Sequence, residues 1–528
     1  ELLPRRNGLS FAALPLATTL STTIAAMAAT QRRRKLSSST LRASSSPSSS
    51  KGGAPRRRGL GVRSAVAGAF GALRGLAGGA ASASAAVGLG ARRAGASPGG
   101  SANGNGPPLQ PKAPTGANLG LAHADDDATG VMATLAPPKK VLVLMSDTGG
   151  GHRASAQALK AAFDELYPGQ VAVEVVDIWT DFGRWPYNQF VPAYQYLAKH
   201  PIFWRAFWEY GRFPLTRLAT ETSSNLVCHE AFRRCIEEAD PDLVVSVHPL
   251  CQDIPLRVLK QIGGGRRRVP FVTVVTDLGA AHPTWFHREA DACFVPSEEL
   301  ATLARRAGLE ESRIRLHGLP TRPGFWREQP LAKDALQKKL GLAPGVKTCL
   351  VVGGGDGVGG LAGVAAEVGE TLGAGEEERQ VVVVCGKNEA VRRELAERPW
   401  APHLRMHVKG FVSNMDEYMA AADCIVTKAG PGTIAEAAIR GLPVMLSGFL
   451  PGQEAGNVPY VTGGGFGAFS RDPHVIGATV RSWLGDDSKL AAMSAAARRA
   501  ARPAATHGIA ADIGGMLFGG ARPLEPPP

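Results

Sequence analysis

The chain has 528 residues, enough for two or three domains, and its formal net charge is +13. The basic residues are concentrated at the start, because residues 1–124 carry +15 and the rest of the chain sums to −2. A nucleic-acid-binding domain normally carries its positive excess on the folded surface, so we expect no nucleic-acid partner. Seven cysteines without paired spacing favour a reducing compartment over a disulfide framework or a zinc site.

Residues 1–124 are rich in Ser, Ala, Arg and Gly and contain a single acid. This composition is typical of an organellar transit peptide and predicts a plastid or mitochondrial address, although a disordered basic tail has the same composition. We interpret residues 125–138 as a linker and residues 516–528 as a disordered tail. No stretch reaches the roughly 18 uninterrupted apolar residues of a spanning helix, which predicts a soluble or peripherally attached protein.

From Lys139 onward, apolar strands alternate with helical stretches, and we assign residues 139–325 to a first domain. Strands are predicted at 139–146, 171–178, 243–249, 271–277 and 293–297. Their near-continuous Val, Ile and Leu content is what parallel strands covered on both faces require.

The first strand runs into Gly149, Gly150 and Gly151, then into His152 and an amphipathic helix. The three glycines allow an acceptor to approach the backbone closely. His152 stands at the helix entrance, where a partial positive charge lowers the proton affinity of an imidazole. A neutral histidine beside a substrate hydroxyl is suited to act as a general base. The alternative is a capping or core histidine.

Residues 185–213 contain eleven of the 33 aromatic residues, with basic residues between them. Such a mixture suits the headgroup layer of a membrane that contains anionic lipids. The other interpretation is a packed pair of helices, and the two do not exclude each other. We predict that this segment, with Trp204 and Trp208, docks on the membrane and receives a lipid.

Residues 326–346 contain the Pro and Gly residues of an interdomain connection, and residues 347–515 form a second series of strands and helices. Strands are predicted from Thr348, at 380–386, at 424–430 and at 443–448, each followed by a glycine turn. The predicted fold is α/β, with two Rossmann-like doubly wound domains facing a cleft. Ligands of such sheets bind at the carboxyl ends of the strands.

The second glycine loop is a candidate phosphate site. It includes Gly353, Gly354, Gly355, Asp356 and Gly357 and formally matches a dinucleotide fingerprint. The next strand ends in Cys385, Gly386 and Lys387, so the acid that would bind a ribose is missing and a nicotinamide enzyme is disfavoured. Backbone amides at a helix start still bind phosphate.

Further candidate donor-binding residues lie near the third glycine turn. Lys428 lies near the end of the predicted strand. Gly430, Gly432 and Thr433 follow and lead into a helix that carries Glu436. Glu436 can bind both hydroxyls of a ribose, or it can merely complement the helix dipole. Beyond them, Gln453, Glu454 and Asn457 suit sugar hydroxyls, although a polar surface loop has the same composition. Together these residues describe a nucleotide-sugar site.

We expect no metal and no other cofactor. Helix termini and Lys428 can offset the charge that develops on a leaving diphosphate. The sequence does contain Asp240-Pro241-Asp242, but its surroundings predict a turn between a helix and a strand rather than a metal site.

Six stretches occur in one order: SDTGGGHRASAQAL, SVHPL, TDLGAAHPTWFH, GGGDGVGG, TKAGPGTIAEA and PGQEAGN. Together they resemble the monogalactosyldiacylglycerol synthase family of plants and algae, from about Lys139 to about Arg499. The chain is similar, more distantly, to the bacterial lipid II N-acetylglucosaminyltransferase, which has the two-Rossmann architecture called GT-B. The resemblance implies inverting transfer of galactose from UDP-galactose to the free hydroxyl of 1,2-diacylglycerol.

The resemblance also implies roles for individual residues. His152 would deprotonate the glycerol hydroxyl, with Asp277 as the second catalytic candidate. His248, Pro249 and Trp285 would line the acceptor side of the cleft together with Asp277. The family further implies activation by phosphatidylglycerol and phosphatidic acid, and peripheral attachment to the plastid envelope, on the inner membrane. A homodimer is a further expectation.

Three other functions fit parts of the sequence. Another GT-B lipid glycosyltransferase, with a glucosyl donor, would differ only in its substrate pockets. A soluble UDP-sugar epimerase can use the same fold, but it needs no aromatic membrane segment. A non-catalytic lipid-binding protein would not need His152, Glu436 and the sugar-binding residues together.

Overall fold

The computed structural model describes residues 137–353 and 360–519, which form two lobes, each built on a six-stranded parallel sheet. The predicted leader, most of the linker and the end of the tail lie outside the described residues. So do residues 354–359 of the second glycine loop, which include the predicted donor-binding residues Gly354, Gly355, Asp356 and Gly357.

The first lobe contains strands β1 (Lys139–Met145), β2 (Val171–Asp177), β3 (Leu243–Ser246), β4 (Phe271–Val274), β5 (Ala292–Val295) and β6 (Ile314–Leu316). Its helices are α1 (Gly151–Leu166), α2 (Ile178–Asp181), α3 (Phe190–Ala198), α4 (Pro201–Arg212), α5 (Pro214–Ala239), α6 (Asp253–Ile262) and α7 (Glu298–Arg306). Short 3-10 turns occur at Tyr187–Gln189, Pro283–Trp285 and Glu311–Arg313.

Helices α8 (Pro323–Trp326) and α9 (Lys333–Lys339) connect the lobes. The second lobe contains strands β7 (Thr348–Val352), β8 (Arg379–Val384), β9 (Leu404–Lys409), β10 (Cys424–Lys428), β11 (Val444–Gly448) and β12 (Gly467–Phe469). The remaining helices are α10 (Leu361–Gly373), α11 (Glu389–Glu397), α12 (Met415–Ala420), α13 (Pro431–Ile439), α14 (Asn457–Gly463), α15 (Pro473–Leu484), α16 (Asp487–Ala500) and α17 (Ala505–Leu517).

The strand order is β2-β1-β3-β4-β5-β6 in the first sheet and β12-β11-β10-β7-β8-β9 in the second. The second order is that of the dinucleotide-binding Rossmann fold, and the first begins in the flavodoxin-like order. The direction of winding reverses between β1 and β3 in one sheet and between β7 and β10 in the other. Ligands bind at such switch points. The prediction of two doubly wound α/β domains is confirmed.

Alternate residues of the central strands pack into separate hydrophobic cores. On β1, Val141, Val143 and Met145 face one core, whereas Leu142 and Leu144 face another on the opposite side of the sheet. Burial on both faces explains why these strands have continuous apolar sequences. The sheet is therefore a rigid support for the loops at its carboxyl edge.

Three strands of the described chain were not predicted, namely β6, β9 and β12. Each lies at an edge of its sheet. Most of their side chains are at least partly exposed, so these segments lack the apolar runs that marked the other strands.

The last helix, α17, differs from the predicted domain assignment. The sequence placed residues 347–515 in the second domain, but Ile509, Ala510 and Ile513 are buried in the core of the first lobe, where α17 packs against α1. The apolar face of α17 covers a surface of the first lobe that would otherwise meet water. Among the described residues, no helix combines the length and the apolar content needed to cross a bilayer.

Candidate active site

One cavity of about 720 Å³ lies at the carboxyl ends of β1, β3 and β4. His152, His248 and Asp277, each following one of these strands, line it together with Gln453 from the second lobe. Aromatic side chains of α3 and α4 form much of the remaining wall (Phe190, Tyr194, Trp204, Phe207, Trp208). A few polar groups beside an extended aromatic wall suit an amphiphilic ligand.

The hydrogen bonds of His152 determine which of its ring nitrogens is free. Its Nδ1 lies 2.9 Å from the carbonyl oxygen of Val247 and 2.8 Å from Oγ1 of Thr276. A carbonyl oxygen can only accept, so Nδ1 carries the proton and Nε2 keeps its lone pair. Nε2 forms no hydrogen bond with any residue that the structure describes. This tautomer is the one that a general base requires.

Burial lowers the pKa of His152 to about 4, while the Val247 bond and the charge of Asp147 act in the opposite direction. The sequence argument attributed a lowered proton affinity to the helix start, but removal from water is the largest cause. Gly150, with φ of +76°, forms the N-cap of α1, where a larger side chain would be strained. No side chain caps α1, so the amides of Gly151 and the next residues face the site uncapped.

His248 is a second neutral imidazole, 4.5 Å from His152 between ring centroids. Its Nδ1 accepts from the amide of Leu250 at 3.2 Å, so Nε2 carries the proton and donates to Oγ1 of Thr148 at 3.2 Å. Burial, followed by the charge of His152, holds the pKa of His248 well below its usual range. Because both nitrogens are bonded, His248 contributes a wall of the cavity beside Pro249 rather than a second base.

Asp277 is buried at the boundary between the lobes. Its Oδ2 accepts from Nε1 of Trp285 at 2.6 Å, and the amide of Gln453 donates a further hydrogen bond. Burial raises the pKa of Asp277 to about 7, against the lowering effect of these two bonds. Trp285 was expected to line the cleft, but it is fully buried behind Asp277, packed with Val275 and Val295. It acts on the site by holding Asp277.

Glu436, the predicted ribose carboxylate, lies in a bidentate ion pair. Its two oxygens accept from Nε and Nη2 of Arg322 at 2.8 and 2.7 Å. Arg322 belongs to the connection between the lobes and was not predicted as a site residue. Burial raises the pKa of Glu436, and the guanidinium of Arg322 opposes that increase. Each oxygen keeps a second lone pair, so the geometry leaves acceptor sites for a ribose diol.

Lys428 and Glu454 also pair with each other. Glu454 is 4 % exposed and its second oxygen accepts from the amide of Leu450 at 2.9 Å. We predicted Lys428 beside the diphosphate and Glu454 at the sugar. Their ion pair places both side chains at the carboxyl end of β10, where Gly430 begins the turn into α13.

Asn457 joins the two lobes rather than lining the cavity. Its Oδ1 accepts from the amide of Gly279 at 2.7 Å, and its Nδ2 donates to the carbonyl oxygen of Ala429 at 2.8 Å. Gly279 and Gly456 touch backbone to backbone, since a Cβ on Gly279 would lie 2.1 Å from the carbonyl oxygen of Gly456. The buried amide of Asn457 thus fixes the loop after β4 against the second lobe.

The glycine turns of the second lobe meet at the β7/β10 switch point. Gly353 follows β7, and Gly360, with φ of +65°, is the N-cap of α10. Gly432 and Thr433 occupy the first turn of α13. No side chain of the described residues caps α10 or α13, so their first amides can bind a phosphate.

The structure places Trp204 and Trp208 on the inner face of α4. Trp204 is 1 % exposed, and its Nε1 donates to the carbonyl oxygen of Pro451 at 2.8 Å. Trp208 packs on Gly452. The exposed apolar side chains of this region are Trp185, Ile202, Phe203, Phe213, Leu215, Leu218 and Leu226. We call this set of exposed residues the outer apolar surface, and it does not include Trp204 or Trp208.

In the described ranges, no three His, Cys, Asp or Glu side chains are grouped to hold a metal ion. Asp240 and Asp242 lie at the amino ends of β1 and β3, at the opposite edge of the sheet from the cavity. Asp242 accepts from Nζ of Lys139 at 2.9 Å and from the amide of Lys140 at 2.8 Å. These bonds fix the turn from α5 into β3.

Two protein-family profiles match the sequence. A profile described as "Monogalactosyldiacylglycerol (MGDG) synthase" matches residues 152–321, and one described as "Glycosyltransferase family 28 C-terminal domain" matches residues 348–447. The chain is 43 % identical over 382 residues to the chloroplastic monogalactosyldiacylglycerol synthase 1 of Arabidopsis thaliana, covering 71 % of this chain and 70 % of that one. It is 43 % identical to the chloroplastic synthase of Spinacia oleracea, covering 71 % and 72 %.

Among solved structures, the chain is similar to Acinetobacter baumannii MurG. The TM-score is 0.47 at 16 % identity, over 71 % of this chain and 99 % of that one. The assignment of the fold in this chain rests on its own two sheets and their strand orders.

Proposed function

Because the chain belongs to the monogalactosyldiacylglycerol synthase family, we propose that it transfers galactose from UDP-galactose to the free hydroxyl of 1,2-diacylglycerol, with inversion. The protein is a galactosyltransferase that acts on diacylglycerol, and its product is monogalactosyldiacylglycerol. The donor and the inverting mechanism are the parts that this proposal adds.

One observation carries the proposal: the free Nε2 of His152, the amide of Gln453 and an aromatic wall belong to a single cavity. Gln453 comes from the lobe with the phosphate-binding helix starts, and His152 comes from the other lobe. A sugar held by Gln453 and an acyl chain held by the aromatic wall would therefore meet at His152. A soluble UDP-sugar epimerase would not need the aromatic wall of this cavity.

The acceptor hydroxyl donates to Nε2 of His152, which takes the proton as the oxygen attacks the anomeric carbon of galactose. The bond from that carbon to the phosphate oxygen breaks, and its electron pair leaves with UDP. Attack from the face opposite UDP inverts the configuration. The negative charge of bound UDP raises the proton affinity of a nearby imidazole, so donor binding strengthens this base.

The donor site is proposed at the β7/β10 switch point. The uncapped starts of α10 and α13 and the ammonium of Lys428 offset the diphosphate charge, and Glu436 accepts from the ribose hydroxyls. These groups support a reaction that needs no divalent metal. Gln453 and Glu454 are proposed to bind the galactose.

The membrane partner is proposed to contact the outer apolar surface. Ile202 is 84 % exposed and Phe203 56 % exposed, and the side chains of Lys199 and Arg205 on the same segment are also exposed. Apolar and basic side chains together favour a bilayer with anionic lipids, which supports activation by phosphatidylglycerol or phosphatidic acid. The curated relatives are named chloroplastic, and we assign this chain to the chloroplast. The inner envelope membrane is the proposed site.

A donor panel tests the proposal with the full chain and diacylglycerol in anionic vesicles. UDP-galactose, UDP-glucose and UDP-N-acetylglucosamine are compared, each with and without EDTA. We expect galactolipid from UDP-galactose alone, at the same rate in EDTA. Formation of glucolipid from UDP-glucose would overturn the assignment of UDP-galactose as the donor. A loss of product in EDTA would overturn the metal-free mechanism. No lipid product, with an epimerised nucleotide sugar instead, would overturn the proposal.

A further inference from the structure

Helix α4 has two faces with different surroundings. Trp204, Phe207 and Trp208 line the cavity, whereas Ile202 and Phe203 point outward and are largely exposed. The spacing of 204, 207 and 208 places these side chains on one side of a helix. One short helix therefore separates the outer apolar surface from the interior of the site.

The inner face of this helix holds a loop of the second lobe, residues 450–454. Nε1 of Trp204 donates to the carbonyl oxygen of Pro451 at 2.8 Å. Trp208 fits against Gly452 so closely that a Cβ there would lie 2.4 Å from Nε1 of the indole. Gly452 also has φ of +85°, which favours glycine.

Tyr194 on α3 completes this contact through the side chain of Gln453. Its hydroxyl donates to Oε1 of Gln453 at 2.9 Å, and its ring packs edge-on against Trp204 with centroids 4.9 Å apart. On the other side, the amide nitrogen of Gln453 donates to Asp277. Because Oε1 accepts from Tyr194, the amide nitrogen is the end of the side chain that faces Asp277.

We propose that Tyr194 and Trp204 are positioning residues for donor recognition: they fix the amide of Gln453, and through them contact of α4 with a bilayer tightens binding of the sugar nucleotide. This inference rests on the proposed function, in which Gln453 binds the galactose. With both ends of the amide held, its second N–H points in one direction, and a hydroxyl of the sugar can accept from it. Ordering of α3 and α4 by the membrane would reduce the cost of ordering the loop at residues 450–454 when the donor binds.

Calorimetry with the full chain tests the positioning role without turnover. Dissociation constants for UDP-galactose and for UDP are measured in the wild type and in Tyr194→Phe, which removes only the hydroxyl. We expect UDP-galactose to bind about 3- to 10-fold more weakly in the variant, as one lost hydrogen bond allows, and UDP to bind unchanged. A structural role for Tyr194 would weaken both ligands, and that result would overturn the proposal.

Tyr196→Phe is the matched control on the same helix. The ring of Tyr196 packs against His200 at 4.3 Å between centroids, and Tyr196 does not line the cavity. Its variant should bind both ligands as the wild type does. In turnover assays, Tyr194→Phe should raise KM for UDP-galactose with kcat changed less than about twofold, and it should narrow the preference for UDP-galactose over UDP-glucose.

The membrane link is tested with anionic vesicles that contain no diacylglycerol. Vesicles should lower the dissociation constant of UDP-galactose about fivefold in the wild type, at the lower end of typical allosteric coupling, and leave it unchanged in Tyr194→Phe. The double variant Ile202→Ser/Phe203→Ser should bind vesicles weakly and lose the effect. An equal effect of vesicles on the wild type and Tyr194→Phe would overturn the link. A wild-type chain that binds UDP but not UDP-galactose would instead refute the proposed function.

Discussion

The candidate site has two groups of polar residues, a neutral wall in the first lobe and a charged wall in the second, and each holds its polar side chains in a different way. In the first lobe, His152 and His248 are kept neutral by burial and are fixed by hydrogen bonds to backbone and hydroxyl groups. In the second lobe, Glu436 is paired with Arg322, and Lys428 with another buried carboxylate. The two imidazoles of the neutral wall are uncharged, whereas the charged wall consists of opposite charges in contact.

This difference matches the two substrates of the proposed reaction. A lipid alcohol is uncharged and needs an acceptor for its proton, so a neutral imidazole suits it better than a cation. A sugar nucleotide brings negative charge and a diol, so its site needs charged groups that remain ionised while buried. Opposite charges in contact provide this, because an unpaired buried charge is costly.

The largest expected effect comes from removing the base of the neutral wall. His152→Ala should lower kcat by about 10²- to 10⁴-fold, the usual contribution of a general base. Binding of UDP should remain unchanged, because His152 belongs to the other lobe. The rate of galactolipid formation gives kcat, and calorimetry gives the affinity for UDP. A variant with wild-type kcat would remove His152 from the mechanism and leave Asp277 as the next candidate.

The next effect should follow from breaking the charged wall at Arg322. Arg322→Met leaves Glu436 buried without its cation, and we expect a loss of about 2 kcal/mol in unfolding free energy. That value is below the roughly 3–5 kcal/mol of fully buried pairs, because the side chain of Arg322 is 39 % exposed. Without the guanidinium, burial and the charge of Asp416 raise the pKa of Glu436 unopposed and favour its protonated form. KM for UDP-galactose should rise about tenfold as ribose binding weakens.

The double variant Arg322→Met/Glu436→Gln separates stability from binding. It removes both charges, so most of the lost stability should return, while KM stays high because the carboxylate is gone. Thermal unfolding and donor titration give the two readouts. A normal KM for UDP-galactose in the single variant Arg322→Met would show that ribose binding by Glu436 does not depend on Arg322.

Strands with apolar runs could be predicted from the sequence, including β2 at an edge of the first sheet, whereas the other three edge strands could not. Strands such as β1 and β10 are buried on both faces and consist almost entirely of apolar residues. β6 and β12 are short and only partly buried at the sheet edges, and hydrogen bonds to a neighbouring strand define them. The position of α17 on the first lobe depends on tertiary packing, which no local pattern indicates.

The loops of the site could be predicted for a related reason. Parallel strands bring their carboxyl ends together, so residues directly after β1, β3 and β4 converge on one cavity. Partners from distant segments were missed. Arg322 and Glu436 are 114 positions apart, and Tyr194 and Gln453 are 259 apart. No spacing in the sequence links such pairs. Composition alone does not give the direction of a side chain, so the inward orientation of Trp204 on α4 was not predicted either.

A pH dependence should appear at Asp277, where the two walls meet. Burial raises its pKa from the ordinary 3.8 to about 7, so the folded state holds a proton that the unfolded state releases. The stability linked to Asp277 is fully present below about pH 4 and is lost as pH rises to about 7, by on the order of a few kcal/mol. In Asp277→Asn this decline should be absent. Thermal unfolding from pH 4 to pH 8 compares the two proteins, and parallel curves would contradict the raised pKa.

The smallest effect is expected from Asp242→Asn, at the edge of the first sheet away from both walls. Asp242 pairs with Lys139, and their side chains are 35 % and 43 % exposed, so the ion pair should contribute less than about 1 kcal/mol. An asparagine oxygen can still accept from the amide of Lys140. Galactolipid formation should therefore keep its kcat, its KM for UDP-galactose and its insensitivity to EDTA. If Asp240-Pro241-Asp242 instead held a metal for the diphosphate, this variant would lose donor affinity as Arg322→Met does, although its fold would be intact.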